Sequence, residues 1–179
     1  MNMYTKNKVM NEKFNNILKM LENTTLSTTV SIELLNEIEV NYKIILPYEF
    51  KVFYSTISNG QISPYKYNRY KIHSIEKILK ILEEKNQFYG IDLLNQKFEY
   101  VKPWRWGEEG SYELHPEAHY GSIEIANMGD GETWNLIVNG NSYGVMWNFT
   151  EWGITPCKSN LNFLDWFEKW FNQEEGFFY

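Results

Sequence analysis

The chain has 179 residues, of which 43% are hydrophobic and 17% aromatic, and a chain of this length can bury roughly 70% of its unfolded surface in one core. Its formal net charge is −6 and its pI is about 5.2, which argues against binding nucleic acid through phosphates because that binding needs a cationic face. The one cysteine, Cys157, excludes an intramolecular disulfide framework and a cysteine-rich zinc site.

The sequence predicts a cytoplasmic protein with one domain over residues 1–179. Its first 14 residues lack the continuous apolar core of a signal peptide, and no run of 18 apolar residues occurs in the chain. A single thiol favours a reducing compartment. No internal repeat, low-complexity tract or break in composition marks a second domain.

Apolar residues at helical spacing predict two helices near the N-terminus. The first covers about residues 12–22 and ends in a run rich in threonine. The second is expected to start at Ser31, a residue type that caps helix N-termini, and to end near Val40.

Two further helices are predicted before residue 90. Pro47 is expected to open the third because its missing N–H needs no partner in a first turn, and Asn59-Gly60 to end it in the left-handed conformation. Ser74 is expected to cap a fourth helix that ends at the charged residues 83–85. Between them, residues 70–72 form an edge strand or an extended connector. The apolar stripe of the third helix consists of Phe50, Phe53, Tyr54 and Ile57.

Residues 88–120, here called the aromatic excursion, lack a clear period. Aromatic residues stand among charges, and glycines and prolines interrupt them. We expect one strand near residues 98–102, followed by a long surface loop. Loops of this length inside a compact domain usually carry function.

Alternating apolar and polar residues predict a three-stranded meander over residues 121–147. Apolar residues recur at every second position near Ile123, over residues 134–138 and over residues 143–147. The turn at residues 128–131 and Asn139-Gly140 separate these runs and supply residues that tolerate positive φ. We therefore expect two hairpins and a sheet with a buried face.

The last part of the chain predicts a loop and one helix. Residues 150–159 are expected to be a loop in which Cys157 is an ordinary thiol. Asn162, with Asp165 three residues later, is a suitable helix entry. The helix should lie on the sheet through a wide aromatic stripe, made of Phe163, Phe167, Trp170 and Phe171.

Three blocks of the sequence resemble the SUKH superfamily, whose best-known branch is the SMI/KNR type. Their order and spacing match over about residues 32–171. The first block runs from Ile44-Ile45-Leu46-Pro47 through an aromatic helix to Ser58-Asn59-Gly60. The second and third blocks are Ile123-Glu124-Ile125-Ala126 with Gly129-Asp130-Gly131, Leu136, Gly140, Gly144 and Trp147, and Phe163-Leu164 in the last helix.

This resemblance implies an α+β fold, with a mostly antiparallel sheet packed by N-terminal and C-terminal helices. It also implies a binding function that needs no catalytic residue, and the sequence predicts neither a metal nor a cofactor. Many bacterial members are immunity proteins that neutralise the toxin domain of a polymorphic or contact-dependent toxin system. Fungal members regulate cell-wall synthesis, and the Syd protein interacts with the secretion machinery. The sequence departs from the simplest family pattern in the aromatic excursion and at Asn127-Met128.

The negative charge of the chain is local. The window from Arg105 to Glu132 contains seven acidic residues and one basic residue, so its formal charge is −6, equal to that of the whole chain. Acids among aromatic residues suit an interface in which aromatic anchors give affinity and charge steers a basic partner, such as a nuclease toxin. The alternative is that the tryptophans are core and the glutamates merely solvated. The predicted partner-binding residues are Trp104, Trp106, Glu108, Glu109, Tyr112, Glu113, Glu117, Asp130 and Glu132.

Catalytic and metal sites are weaker interpretations of the same region. His115 and His119 stand four residues apart, but Pro116 argues against the helix that would join them on one metal, so we expect surface histidines. A carboxylate pair among the glutamates of residues 108–117 would suit a glycan-acting hydrolase, yet glutamates on a glycine-rich loop are more often solvated. Three hypotheses remain: an immunity protein, a binding module for an endogenous partner, and such a hydrolase.

Overall fold

A computed structural model describes residues 3–64, 70–107 and 115–176. Its helices are α1 Met3–Met20, α2 Ile32–Tyr42, α3 Tyr48–Val52, α4 Ile75–Tyr89 and α5 Phe163–Phe171. Its strands are β1 Trp104–Arg105, β2 Ser122–Gly129, β3 Glu132–Ile137, β4 Met146–Thr150 and β5 Gly153–Pro156. The strands form one sheet in the order β1-β5-β4-β3-β2, with antiparallel neighbours throughout. The α+β fold with a mostly antiparallel sheet is therefore confirmed.

Three predicted helix caps are confirmed by their hydrogen bonds. The Ser31 hydroxyl accepts from the Leu34 amide at 3.1 Å, and the Ser74 hydroxyl accepts from the Lys77 amide. In the same way, the Asn162 side chain caps α5 by accepting from the Asp165 amide at 3.0 Å. Such caps are local interactions, because a serine or asparagine oxygen satisfies an amide only three residues ahead.

The extents of α1 and α4 differ from the prediction. Helix α1 begins at Met3 and ends at Met20, whereas the apolar spacing predicted residues 12–22. Helix α4 continues through the charged residues 83–85 to Tyr89, because glutamate and lysine are good helix formers on a solvent-exposed face. It ends where Gly90 takes the left-handed conformation, at φ 66°.

The third predicted helix begins after Pro47 as expected, but its second half is a π-helical turn over Phe53–Ile57. All four residues of its apolar stripe are buried. The Phe53 and Phe167 rings lie 4.9 Å apart, edge to face, which joins this element to α5. The left-handed residue after it is Gly60, at φ 64°. A Cβ there would lie 2.2 Å from a backbone oxygen, so the chains approach closely.

Three predictions for the sheet were wrong. Residues 98–102 do not form a strand, since Phe98 makes only an isolated parallel bridge to Gly140 and the strand follows at β1. Residues 150–159 contain β5 rather than a loop alone. Asn139-Gly140 does not close a tight hairpin, because eight residues, 138–145, connect β3 to β4. At Gly140 (φ 122°) a Cβ would lie 2.2 Å from the Phe98 carbonyl oxygen, so a side chain is excluded by the bridge. Residues 70–72 are an extended connector with one bridge, Ile72 to Ala126.

The predicted buried face of the sheet is present, and the opposite face is covered as well. On one face, Leu136 and Met146 belong to a large core shared with the helices. On the other, Ile137 and Trp147 belong to a second core with residues of the aromatic excursion. These neighbouring residues are each 0% exposed, so the alternation along the strand sorts apolar side chains between two cores. The second core contains Phe98, Trp106, Ala118, Ile137, Trp147, Phe149 and Ile154.

Phe167→Ala is expected to lower the free energy of unfolding by about 3–5 kcal/mol, because Phe167 is 0% exposed and its removal leaves a cavity in the main core. Urea denaturation followed by tryptophan fluorescence measures this loss. Phe88→Ala is the matched control, since Phe88 is 67% exposed and its truncation should change stability by less than about 0.5 kcal/mol. Similar losses for both variants would contradict the assignment of α5 to the core.

Candidate partner-binding surface

The first part of the aromatic excursion is fixed to the loop that joins β3 and β4. The Phe98 amide donates to the Asn139 carbonyl at 3.1 Å, and the Asn141 amide donates to the Phe98 carbonyl at 2.9 Å. The Ser142 hydroxyl donates to the Tyr100 carbonyl at 2.7 Å. Through these bonds the excursion is held along the second face of the sheet.

The two predicted tryptophans of the excursion belong to an aromatic stack on this face. Trp104 stacks on Tyr100, with ring centroids 4.9 Å apart, and meets Trp106 edge to face at 5.4 Å. The His115 ring lies 4.8 Å from Trp104 and 5.8 Å from Trp106. The Trp106 indole N–H donates to the Glu151 carbonyl. Trp106 is 8% exposed and Trp104 is half-buried, so Trp106 is a core residue rather than the surface anchor that was predicted.

Two turns lie side by side at one end of the sheet, where β3 and β5 begin and β1 ends. In the β2–β3 turn, three successive residues, Gly129, Asp130 and Gly131, have φ values of 83°, 48° and 77°. The second turn joins β4 to β5 at Glu151 and Trp152. A Cβ built on Gly131 would lie 3.8 Å from the Glu151 Cβ, which places the turns in van der Waals range. We call residues 129–132 and 150–153 together the turn pair.

Trp152 is the most exposed aromatic side chain among the described residues, with 70% of its surface accessible. Its amide donates to the Thr150 hydroxyl at 3.2 Å, and that hydroxyl donates to the Gly153 carbonyl at 3.2 Å. The backbone that carries the indole is therefore fixed by local hydrogen bonds and by the β4–β5 ladder. An exposed indole on fixed backbone is an available anchor for a protein partner.

The turn pair also carries carboxylates. Asp130 and Glu151 are exposed, and the half-buried Glu132 accepts from the Asn148 side-chain amide at 2.9 Å. The exposed Arg105 pairs with Gly153 across the β1–β5 ladder and is the nearby basic residue of β1. Three carboxylates against this one guanidinium leave the turn pair negative.

The predicted partner-binding residues therefore belong to different parts of the fold. Asp130 and Glu132 lie on the turn pair, whereas Trp104, Trp106 and Glu117 belong to the aromatic excursion, where the Glu117 carboxylate is 3.1 Å from His115 Nδ1. The remaining four, Glu108, Glu109, Tyr112 and Glu113, lie outside the described residues. Sequence reasoning missed Trp152. The signal was a tryptophan between Glu151 and Gly153 in a segment without apolar periodicity.

One acid of the negative window, Glu124, does not contribute to the surface. Its side chain is 7% exposed and pairs with Lys85 Nζ at 3.0 Å and with His73 Nε2 at 3.2 Å. Burial raises the pKa of Glu124, but hydrogen bonds from His73 and the charge of Lys85 outweigh burial and lower the pKa to about 2. The ion pair between Glu124 and Lys85 links β2 to α4 inside the protein. Counting acids in the sequence therefore overestimates the negative charge that the surface presents to a partner.

The histidines do not have the surface positions that were expected. His119, at the end of a short 3₁₀ helix over Pro116–His119, is 7% exposed. Burial and the charge of Lys85 lower the pKa of His119 to about 3, against the opposing charge of Glu124. Within the described ranges no three His, Cys, Asp or Glu side chains are arranged to hold a metal ion. Cys157 is buried, which raises the pKa of its thiol to about 12.

An open groove of about 590 Å³ is lined by residues of the aromatic excursion. Its described lining holds two carboxylates, Glu99 and Glu117, and two tyrosines, Tyr100 and Tyr120, but no tryptophan. The alternative of a glycan-acting hydrolase would need two carboxylates that face one tryptophan-lined cleft, and this groove does not meet that description.

None of the helices in the described part of the chain combines the length and apolarity needed to cross a membrane.

Acid is expected to destabilise the protein through His119 as the pH falls below about 6.5, the pKa of an exposed histidine. The unfolded chain binds a proton near pH 6.5, whereas folded His119 binds one only near pH 3, so the unfolded state holds more protons between these values. Folding stability should therefore fall with a limiting slope of about 1.4 kcal/mol per pH unit from this group. Glu124 adds a loss in the same direction below about pH 4.5.

Urea denaturation from pH 7.5 to 5 measures this dependence, with His119→Leu as the test variant. The variant should show a shallower fall of stability with acid than the wild type. Because slopes are compared, the result holds even if the substitution changes stability at pH 7.5. Equal slopes would show that His119 does not stay neutral in the folded protein.

Comparison with known proteins leaves the resemblance to the SUKH superfamily as a sequence-based expectation. That resemblance rests on the three sequence blocks, and the α+β fold that it implies is present. The chain matches no protein-family model, no curated protein and no solved structure.

Proposed function

We propose that this chain is an immunity protein that neutralises a toxin domain by stoichiometric binding through the turn pair. The observation that carries this proposal is Trp152, a 70% exposed indole set between the acidic residues of two adjacent turns. The three sequence blocks that resemble the SUKH superfamily support the same role.

The geometry of the turn pair favours tight binding to a protein. Tryptophan is among the residues most enriched at energetic centres of interfaces, because one side chain buries a large area with few rotatable bonds. The turns are held by the sheet and by the Thr150 hydrogen bonds, so little conformational entropy is lost when Trp152 inserts into a partner. We therefore expect the Trp152 indole to supply most of the affinity for the toxin domain.

The charge of the turn pair indicates the class of toxin. A nuclease presents a cationic face to the phosphates of its substrate. Asp130, Glu132 and Glu151 give the turn pair the opposite sign, and complementary charge increases the rate of association. An immunity protein bound at that face would exclude nucleic acid sterically and electrostatically, without a cofactor or any chemistry of its own.

A regulatory module for an endogenous protein, as in the SMI/KNR or Syd branches, is the alternative. Such a module uses the same kind of anchor, so the partner distinguishes the two functions. A toxin domain encoded beside this gene, expressed together with the chain, should be neutralised if the first proposal is correct. Failure to bind that domain, with recovery of a housekeeping protein by the purified chain, would favour the regulatory role.

Trp152→Ala is expected to raise the Kd for the neighbouring toxin domain at least about 30-fold, equivalent to about 2 kcal/mol, because the main anchor is lost. Isothermal titration calorimetry measures the Kd, and growth during toxin expression measures protection.

Asp130→Asn should instead slow association with the toxin domain at low salt, with a smaller effect on the rate of dissociation.

Phe88→Ala is the matched control for an exposed aromatic residue, because Phe88 is 67% exposed but lies on α4. It should leave both the Kd and protection unchanged. If Trp152→Ala binds the toxin as tightly as the wild type, the turn pair is not the interface. If the wild type neither binds nor protects, the chain is not the immunity protein for that toxin.

A further inference from the structure

The connector that precedes α4 runs along the outer edge of β2, beside the turn pair. Ile72 makes the antiparallel bridge to Ala126, and the His73 amide donates to the Ile125 carbonyl at 2.8 Å. On its other side, the Ile72 amide donates to the Ile62 carbonyl at 2.9 Å. Because hydrogen bonds hold the connector on both sides, its backbone position relative to β2 is fixed.

This pairing sets the Tyr70 ring against the β2–β3 turn. A Cβ built on Gly129 would lie 3.7 Å from Tyr70 Cε1 and 3.9 Å from its hydroxyl oxygen, and Tyr70 is half-buried. Gly131 lies beside Glu151 in the same way, at 3.8 Å. The neighbouring positions therefore run without a break from Tyr70 through the turn to the residue before Trp152. Tyr70 and the turn pair form one continuous surface.

The centre of this surface is bare backbone. Gly129 and Gly131 have no side chains, and the exposed Asp130 stands between them. A strip of glycine backbone is thus bordered by an aromatic ring on one side and by the β4–β5 turn on the other. We call Tyr70 and residues 129–131 the saddle.

Packing alone does not require the two glycines of the saddle. At Gly140 and Gly153 a Cβ would lie 2.2 Å from a backbone oxygen, so no side chain fits there. At Gly129 and Gly131 the nearest atoms are 3.7 and 3.8 Å away, which is ordinary van der Waals contact. A residue type that tolerates positive φ would fit, as Asp130 does at φ 48°. The bare strip therefore leaves room for a side chain from another molecule.

The charge at the saddle favours a basic side chain. Three carboxylates stand on the turn pair against one guanidinium, and that of Asp130 is exposed at the centre of the saddle. Lys71, which follows Tyr70, lines a separate groove together with residues 23–27. Its ammonium group therefore borders a different surface.

We propose that the saddle receives an arginine side chain of the toxin domain, which lies across the glycine strip beside Tyr70 and pairs with Asp130. The planar guanidinium suits this place because it stacks on aromatic rings and bonds a carboxylate through two parallel N–H groups. Lysine, a point charge, has neither property. Tyr70 is then a second aromatic contact of the interface, in addition to Trp152. This inference rests on the proposed immunity function and names the side chain that the turn pair recognises.

Filling the saddle tests its role. Gly131→Asn adds a side chain to the strip, and asparagine tolerates the left-handed conformation. The variant should raise the Kd for the toxin domain encoded beside this gene at least about tenfold, because the place of the arginine is taken. Gly144→Asn is the matched control, since Gly144 has φ 80° and a Cβ there would meet nothing within 4 Å. It lies in the β3–β4 loop and should leave the Kd unchanged.

Substitution of Tyr70 tests the aromatic contact. Tyr70→Ala should raise the same Kd at least about threefold, because the ring beside the guanidinium is lost. Tyr70→Phe keeps the ring and should restore most of the affinity. A merely structural role would instead lower the stability of Tyr70→Ala in urea without changing the Kd of the folded protein.

A probe without the toxin separates this inference from the proposed function. N-acetylarginine amide, titrated into isotopically labelled protein, should shift the NMR signals of the Asp130 and Gly131 amides. The shifts should be smaller in Gly131→Asn and unchanged in Gly144→Asn. N-acetylcitrulline amide, a similar molecule without the charge, should leave these signals in place.

The outcomes distinguish the two ideas. If the toxin domain binds through Trp152, but Gly131→Asn and Tyr70→Ala bind it as the wild type does, the saddle does not take part and the immunity function stands. If the toxin domain does not bind while the arginine amide shifts the saddle signals, the immunity function is wrong and the saddle remains an arginine site. No shift by the arginine amide, or equal shifts by both amides, would overturn the assignment of arginine.

Discussion

The sheet has two apolar faces, and the rest of the molecule is arranged to cover both. In β3, Leu136 faces the main core and Ile137 the second core, and Met146 and Trp147 repeat this division in β4. Each large side chain that leaves water contributes roughly 1.5–3 kcal/mol, so neither face is stable when bare. Helices α3, α4 and α5 contribute to the cover of one face. Among the described residues, the other face is covered mainly by the aromatic excursion, which explains why that segment is rich in tryptophan and tyrosine.

Cover of the second face restricts where recognition is possible. Trp106 lies against the sheet with its indole N–H bonded to the Glu151 carbonyl, so its aromatic surface is already used in folding. Residues at the ends of the strands stand beyond the two cores and remain exposed to a partner. Trp152 stands at one such end, and hydrogen bonds fix the backbone around it. The sheet thus holds this exposed indole on a rigid frame.

The features that sequence predicted well are those that depend on neighbours along the chain. Ser31, Ser74 and Asn162 cap helices because each needs only the amide three residues ahead. The same local logic failed at Asn139-Gly140, where the turn chemistry was correct but Gly140 is used to let Phe98 approach. A long-range contact of that kind leaves no periodic signal, and neither does the second core that it helps to close.

The distinction between Trp106 and Trp152 shows why the candidate site was only partly predictable. Each has a glycine as its next residue and acidic residues close in sequence, and nothing in local composition separates them. Their exposures of 8% and 70% follow from the β1–β5 pairing, which turns one indole over the sheet and leaves the other on the connecting turn. Only the tertiary arrangement decides which of two similar tryptophans is available to a partner.

Charge and apolar surface have different parts in the proposed recognition. The ion pairs of Glu124 with Lys85 and His73 remove one carboxylate from the field that a partner meets. On the turn pair, Arg105 offsets one of the three carboxylates around Trp152. A field of this size, screened within about 8 Å at physiological ionic strength, guides approach but supplies little of the binding free energy. The free energy that holds a partner must therefore come mainly from burial of Trp152, and the acidic residues decide which partners arrive in the orientation that buries it.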